Sequence, residues 1–115
     1  MNGGKKVKKY LELEQNPDAT HLKVEVYYTK GGMNMFTYKE EQRGYYLSVS
    51  PVTREHRDGV TLESYTAFSG IKDCVKQVSR KSDKAMREAE ELAAAQEEAL
   101  IRLVCEKNHL CLKGA

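Results

Sequence analysis

No stretch of this 115-residue chain approaches the ~20 consecutive apolar residues that a membrane-crossing helix requires, so a spanning segment is not expected. There is no apolar leader at Met1-Asn2-Gly3-Gly4-Lys5-Lys6. The three cysteines, Cys74, Cys105 and Cys111, are an odd number without a CxxC pair. These absences predict a cytoplasmic protein with reduced thiols. Charge of one sign is also lacking. With 19 basic and 17 acidic residues the net charge is +2, which excludes a global attraction to nucleic acid and makes any electrostatic function local. No internal repeat is present, and the length allows one ordinary domain.

Catalytic motifs are missing as well. Gly31-Gly32 and Ser69-Gly70 form neither a G-x-x-x-x-G-K-[ST] nor a G-x-G-x-x-G phosphate loop, and no G-x-S-x-G surrounds a serine. No enzyme activity and no cofactor are therefore expected. Cys105, His109 and Cys111 are ligand types at close spacing, but a structural zinc site normally closes with four ligands, and only His21, His56 and Cys74 remain to complete it. Free or buried thiols are the simpler reading, and no metal is expected.

What is present divides the chain in two. From Leu22 the apolar residues fall at every second position, with Leu22, Val24, Val26 and Tyr28 alternating with Lys23, Glu25 and Tyr27. That is the period of a strand with one face buried. Lys30-Gly31-Gly32 supplies a turn, and further strands are predicted over Met33 to Lys39, Gly44 to about Val52, and Val60 to Phe68, the last entered through Asp58-Gly59. Pro51 lacks a ladder donor and marks an edge, a bulge or the end of pairing. Before the strands, residues 1–20 form an N-terminal segment with lysines at 5, 6, 8 and 9. Its Tyr10 to Glu14 suits either a short strand or a helical turn.

From Ser69 onward the pattern becomes helical. Ile71, Val75, Val78, Ser82, Ala85, Ala89, Leu92, Gln96, Ala99 and Leu103 follow steps of four and three, and no Gly or Pro lies between Ile71 and Asn108. One long helix over 69–108 is predicted, capped by Ser69, with a kink or restart at Ser79 to Asp83 as the alternative, and a tail at 109–115 that packs back or adds a strand. At 1.5 Å per residue this helix would be roughly 55 Å long and would overhang a sheet of ~20 to 30 Å. Lys72, Lys76, Arg80, Lys81, Lys84 and Arg87 precede Glu88, Glu90, Glu91, Glu97 and Glu98, so two antiparallel copies would set basic against acidic. The expectation is an α+β fold, a four-stranded antiparallel meander followed by a long C-terminal helix. A helix-mediated homodimer would form through Val75, Val78, Ala85, Ala89, Leu92 and Leu103. Packing of the stripe on the chain's own sheet is the competing reading.

All nine aromatics lie before the helix. Alternation sends Tyr27 and Tyr46 to the sheet face away from it, with Phe36, Tyr38 and Tyr65 as candidates to join them, and Lys23, Lys30, Lys39 and Arg43 close in sequence. Rings that stack bases beside cations that meet phosphates are what single-stranded DNA or RNA requires. Tyrosines are also simply good strand residues. In element order the stretch from about Leu22 to Arg87 resembles the four-strands-then-helix unit of the Whirly and PUR-type single-stranded nucleic-acid-binding proteins. That resemblance is one of topology and residue type. It implies a helix-paired nucleic-acid-binding dimer and carries over no individual residue. The competing function is an assembly or adaptor protein in which the helix is the working part.

Overall fold

The computed structural model describes residues 7–33 and 40–114. Seven strands precede one helix: β1 Val7–Glu12, β2 His21–Thr29, β3 Gly32–Met33, β4 Glu40–Glu41, β5 Gly44–Arg57, β6 Val60–Tyr65, β7 Ile71–Gln77 and α1 Asp83–Asn108. The fold is α+β, an antiparallel sheet with one long C-terminal helix. The alternation of Leu22 to Tyr28 produces β2. The Tyr10 segment is a strand, β1, paired with β2 from Val7↔Val26 to Glu12↔His21.

β2 pairs directly with β5, from His21↔Val52 to Thr29↔Gly44. The strand expected over Met33 to Lys39 lies mostly outside the described residues. Its flanks, β3 and β4, pair with each other among the described residues. β5 is longer than expected and has two successive partners on its other edge. β7 pairs Gly44 to Val49 and β6 pairs Val52 to Arg57. Pro51 falls in the gap between them, where its missing N–H costs no ladder bond, and its carbonyl accepts from the Thr66 hydroxyl at 3.3 Å. The β5–β6 turn is the predicted Asp-Gly turn, with positive φ at both Asp58 (54°) and Gly59 (78°).

The largest correction concerns residues 69–82. Ile71 to Gln77 is a strand, and the helix starts at Asp83 rather than Ser69. Ile71, Val75 and Val78 satisfy a heptad, but β-branched side chains favour extended backbone, and the open edge of β5 offers six residues of ladder, Gly44 to Val49. Gly70 lets the chain come close there, since a Cβ would sit 2.8 Å from the Val49 carbonyl oxygen. The helix begins at the restart point instead. Ser82 is extended, and its hydroxyl accepts from the Ala85 amide at 3.0 Å. Ser82→Ala is expected to cost about 1 kcal/mol in urea unfolding, because the amide of the first turn loses its acceptor. At the far end His109 adopts the left-handed cap conformation (φ 56°). Asn108 ties the helix to the start of β7 by donating to the Ser69 carbonyl at 2.8 Å and accepting from the Ser69 amide at 3.0 Å. The tail folds back through a Leu13↔Leu112 bridge and buries Leu110.

One sheet face carries the core. Leu22, Val24, Val26, Tyr45, Leu47 and Val49 meet Ala85, Met86, Ala89, Ala93, Leu100 and Val104. Each fully buried Leu or Val contributes about 1.5–3 kcal/mol. The alanines let the helix axis approach the sheet, and ion pairs flank it on both sides: Lys9–Glu97 from β1 (2.5 Å) and Lys76–Glu88 from β7 (2.8 Å). At 26 residues the helix is about 39 Å long, so the overhang deduced from an unbroken 69–108 helix of roughly 55 Å is much reduced. The expected dimer seam changes accordingly. Ala85 and Ala89 are consumed by the chain's own core, Val75 and Val78 are half-buried against it, and of the six only Leu92 and Leu103 are exposed.

Candidate nucleic-acid interface

The face of the sheet away from the helix presents Lys23, Glu25 and Tyr27 from β2, and Tyr46, Ser48 and Ser50 from β5. Tyr27 and Tyr46 stack, with ring centroids 6.1 Å apart and planes at 20°. This follows from the register that sets them opposite each other. Tyr46 is only 6% exposed and its hydroxyl donates to the Gln42 carbonyl at 2.8 Å, while Tyr27 is half-buried. Burial pushes both phenols above their ordinary pKa. Lys72 from β7 reaches over the Tyr46 ring at 5.6 Å while paired with Glu41, and the hydrogen bond it donates to Glu41 raises its pKa.

The second half of β5, with β6, folds across this face. In a flat sheet β1 and β6 would be three strand spacings apart, roughly 14 Å. Instead the Tyr10 hydroxyl on β1 donates to Glu63 Oε1 on β6 at 2.5 Å, and the Arg54 guanidinium lies 3.8 Å from the Tyr10 ring centroid. Lys23 sits beneath this arm. It is 7% exposed, donates to Glu63 Oε2 at 2.8 Å, and lies 3.7 Å from Glu25. Burial acts to lower its pKa, but the hydrogen bond to Glu63 and the charge of Glu25 outweigh burial and hold it well above the ordinary lysine range. Glu63 is held below the usual carboxylate range by its hydrogen bonds from Lys23 and then Tyr10. Two cations, Lys23 and Arg54, thus face two carboxylates, Glu25 and Glu63. The cluster is electrically balanced and leaves no charge for a phosphate.

The expected site is therefore brought together only in part. Tyr27 and Tyr46 adjoin as a stacked pair, and Tyr65 stands on the arm, 68% exposed. Lys23 is sequestered. Phe36, Tyr38 and Lys39 lie outside the described residues. Lys30 and Arg43 are exposed at one end of the sheet, in the connections that follow β2 and precede β5.

That end carries cations that the aromatic pattern did not include. Arg43 Nε donates to the Lys30 carbonyl and its Nη1 to the Ser79 carbonyl, both at 3.1 Å, which locks the two connections against the 78–82 loop. Ser82 is held there too, because its amide donates to the Tyr45 hydroxyl at 3.2 Å. Arg80 and Lys81 follow on the loop, Lys84 on the first helical turn and Arg87 one turn later, all exposed. Among the described residues none of these four makes an ion pair, and the nearby Glu88 is already paired with Lys76. The positive end of the helix dipole adds to the same field. In sequence this basic run was visible, but its charge pointed to helix pairing. Only the fold places it beside Lys30 and Arg43.

Among the described residues no group of three or more metal-type ligands forms, and no helix is long and apolar enough to cross a membrane. Cys105 and Cys111 line one shallow pocket with Ile101, Arg102 and Leu112, and burial raises the Cys105 thiol above its ordinary pKa. No protein-family model, no curated protein and no solved structure matches the chain.

Proposed function

We propose that the protein binds single-stranded DNA or RNA, and that the phosphates track the basic end of the molecule rather than the open sheet face. The observation that carries this reading is the convergence of Lys30, Arg43, Arg80, Lys81, Lys84 and Arg87 on one end, with Asp83 and Glu88 as the helical acids among them. Separated cations on two loops and a helix start suit an extended chain of phosphates. Tyr27, two residues before Thr29 at the end of β2, offers a half-buried ring on the face away from the helix for stacking a base. The balanced Lys23 cluster then has a structural role, fixing the arm that backs the sheet. The three cysteines are free thiols, which fits the reducing cytoplasm as the working compartment.

The test is fluorescence anisotropy of a labelled single-stranded oligonucleotide of mixed sequence, titrated at about 50 and 200 mM salt. Four phosphate contacts predict an affinity about 50-fold weaker at the higher salt. Absence of binding at 50 mM, or binding indifferent to salt, would overturn the reading.

A further inference from the structure

We infer that Arg43 is a positioning residue for nucleic-acid binding, whose guanidinium clasps the connections carrying Lys30, Arg80 and Lys81 into one surface before any phosphate arrives. The inference rests on the binding proposed above, and gives one of its cations a role other than pairing with phosphate. Arg43 Nε donates to the carbonyl of Lys30, and Nη1 donates to the carbonyl of Ser79, the residue before Arg80 and Lys81. The fork is thus spent on the backbone of the segments that carry its neighbouring cations. A lysine there would keep the charge but lose the planar fork that meets both carbonyls together.

Gly31 supplies a second, independent observation. Its φ is 76°, and a Cβ on it would fall 2.6 Å from the Glu41 carbonyl oxygen and 2.8 Å from the Arg43 amide nitrogen. The turn after β2 therefore lies on the backbone of the segment that carries Arg43, at a spacing that glycine alone allows. On the other side of that segment, the Tyr45 hydroxyl accepts from the Ser82 amide at 3.2 Å and donates to the Ser82 carbonyl at 3.3 Å. The connections at 30–32, 41–44 and 78–82 meet at one point, and the Arg43 side chain bonds to both of the others. A surface fixed in this way loses less chain entropy on binding, so the clasp raises affinity without adding a contact to the ligand.

Salt dependence of oligonucleotide affinity separates the two roles, because a lost phosphate contact on a single strand lowers the slope by about 0.7 and a lost clasp does not. Arg43→Gln and Arg43→Lys are each expected to bind about 10-fold more weakly than wild type with the slope unchanged. Gly31→Ala, which alters no charge, is expected to do the same. In the free Arg43→Lys protein the Ser82 amide should exchange with solvent about 10-fold faster, while the amides of β2 and β5 keep wild-type protection, since Arg43 is exposed. Wild-type affinity in Arg43→Lys, or a slope lowered by about 0.7 in Arg43→Gln, would overturn the positioning role while leaving the binding proposal standing. Absence of binding by wild type at 50 mM salt would overturn both.

Discussion

Glu63→Ala is expected to destabilise the protein by about 3 kcal/mol at pH 7, the largest effect of any single polar substitution on the sheet. Glu63 is the carboxylate that three groups share: it accepts from Lys23 at 2.8 Å and Tyr10 at 2.5 Å, and lies 3.7 Å from Arg54. Removing it leaves Lys23 buried with Glu25 at 3.7 Å and the Tyr65 hydroxyl at 3.4 Å, and leaves the Tyr10 hydroxyl without its Glu63 acceptor. Breaking a fully buried pair on one side costs about 3–5 kcal/mol, and the partial exposure of the Glu63 side chain, 23%, puts this one at the lower end. The loss would also loosen the arm, because Glu63 joins β6 to both β1 and β2.

The pH dependence follows from the directions of the two shifts. Glu63 has a folded pKa below its unfolded value, so its stabilisation is full above about pH 4.3 and is lost as pH falls through the lower folded value. Lys23 has a folded pKa above its unfolded value, so its stabilisation is full below about pH 10.4 and fades only in stronger alkali. Urea unfolding of wild type should therefore show a plateau through neutrality and a decline in acid, and Glu63→Ala should show a smaller acid decline. A difference below about 1 kcal/mol at pH 7 would mean that the cluster does not hold the arm.

The second large effect is on binding. Replacing Arg80, Lys81 and Lys84 together by glutamine is expected to weaken oligonucleotide affinity about 100-fold near 0.1 M salt. The slope of log affinity against log salt should fall by about 2, because each lost phosphate contact on a single strand removes roughly 0.7. Folding should be untouched, since all three side chains are exposed and the helix cap depends on Ser82. Arg43 is left out of this set because its guanidinium also holds the Lys30 and Ser79 carbonyls. Replacing Lys23 would be a poor substitute, since it lies beneath the arm and its loss would report on stability. If the triple variant bound with unchanged slope, the phosphates would run elsewhere.

Local chemistry was legible in the sequence where a single residue pattern has a single reading. The alternation from Leu22 to Tyr28 gave β2 and Asp58-Gly59 gave the β5–β6 turn, whereas a start at Ser82-Asp83 stood only as the alternative to one long helix capped by Ser69. Ile71, Val75 and Val78 have two readings, a heptad and an edge strand. The choice between them depends on an unfilled edge of β5 more than twenty residues earlier in the chain, which no local period reveals. The site was obscured for a similar reason. Lys23 reads as a solvated strand lysine until Glu63, forty residues on, is brought over it by the curl of the β5–β6 arm. Arg80, Lys81 and Lys84 read as one half of a charge-split helix until that half proves to be a loop and a helix start packed against Arg43.

Binding of nucleic acid at the basic end of the molecule is tested by an amide NMR titration of isotopically labelled protein with a short single-stranded oligonucleotide. Shift changes concentrated at Lys30, Arg43 and residues 79–87, with smaller ones at Tyr27, are the predicted result. Changes centred on Lys23, Glu63 and Tyr65, or no changes at saturating oligonucleotide in low salt, would contradict it.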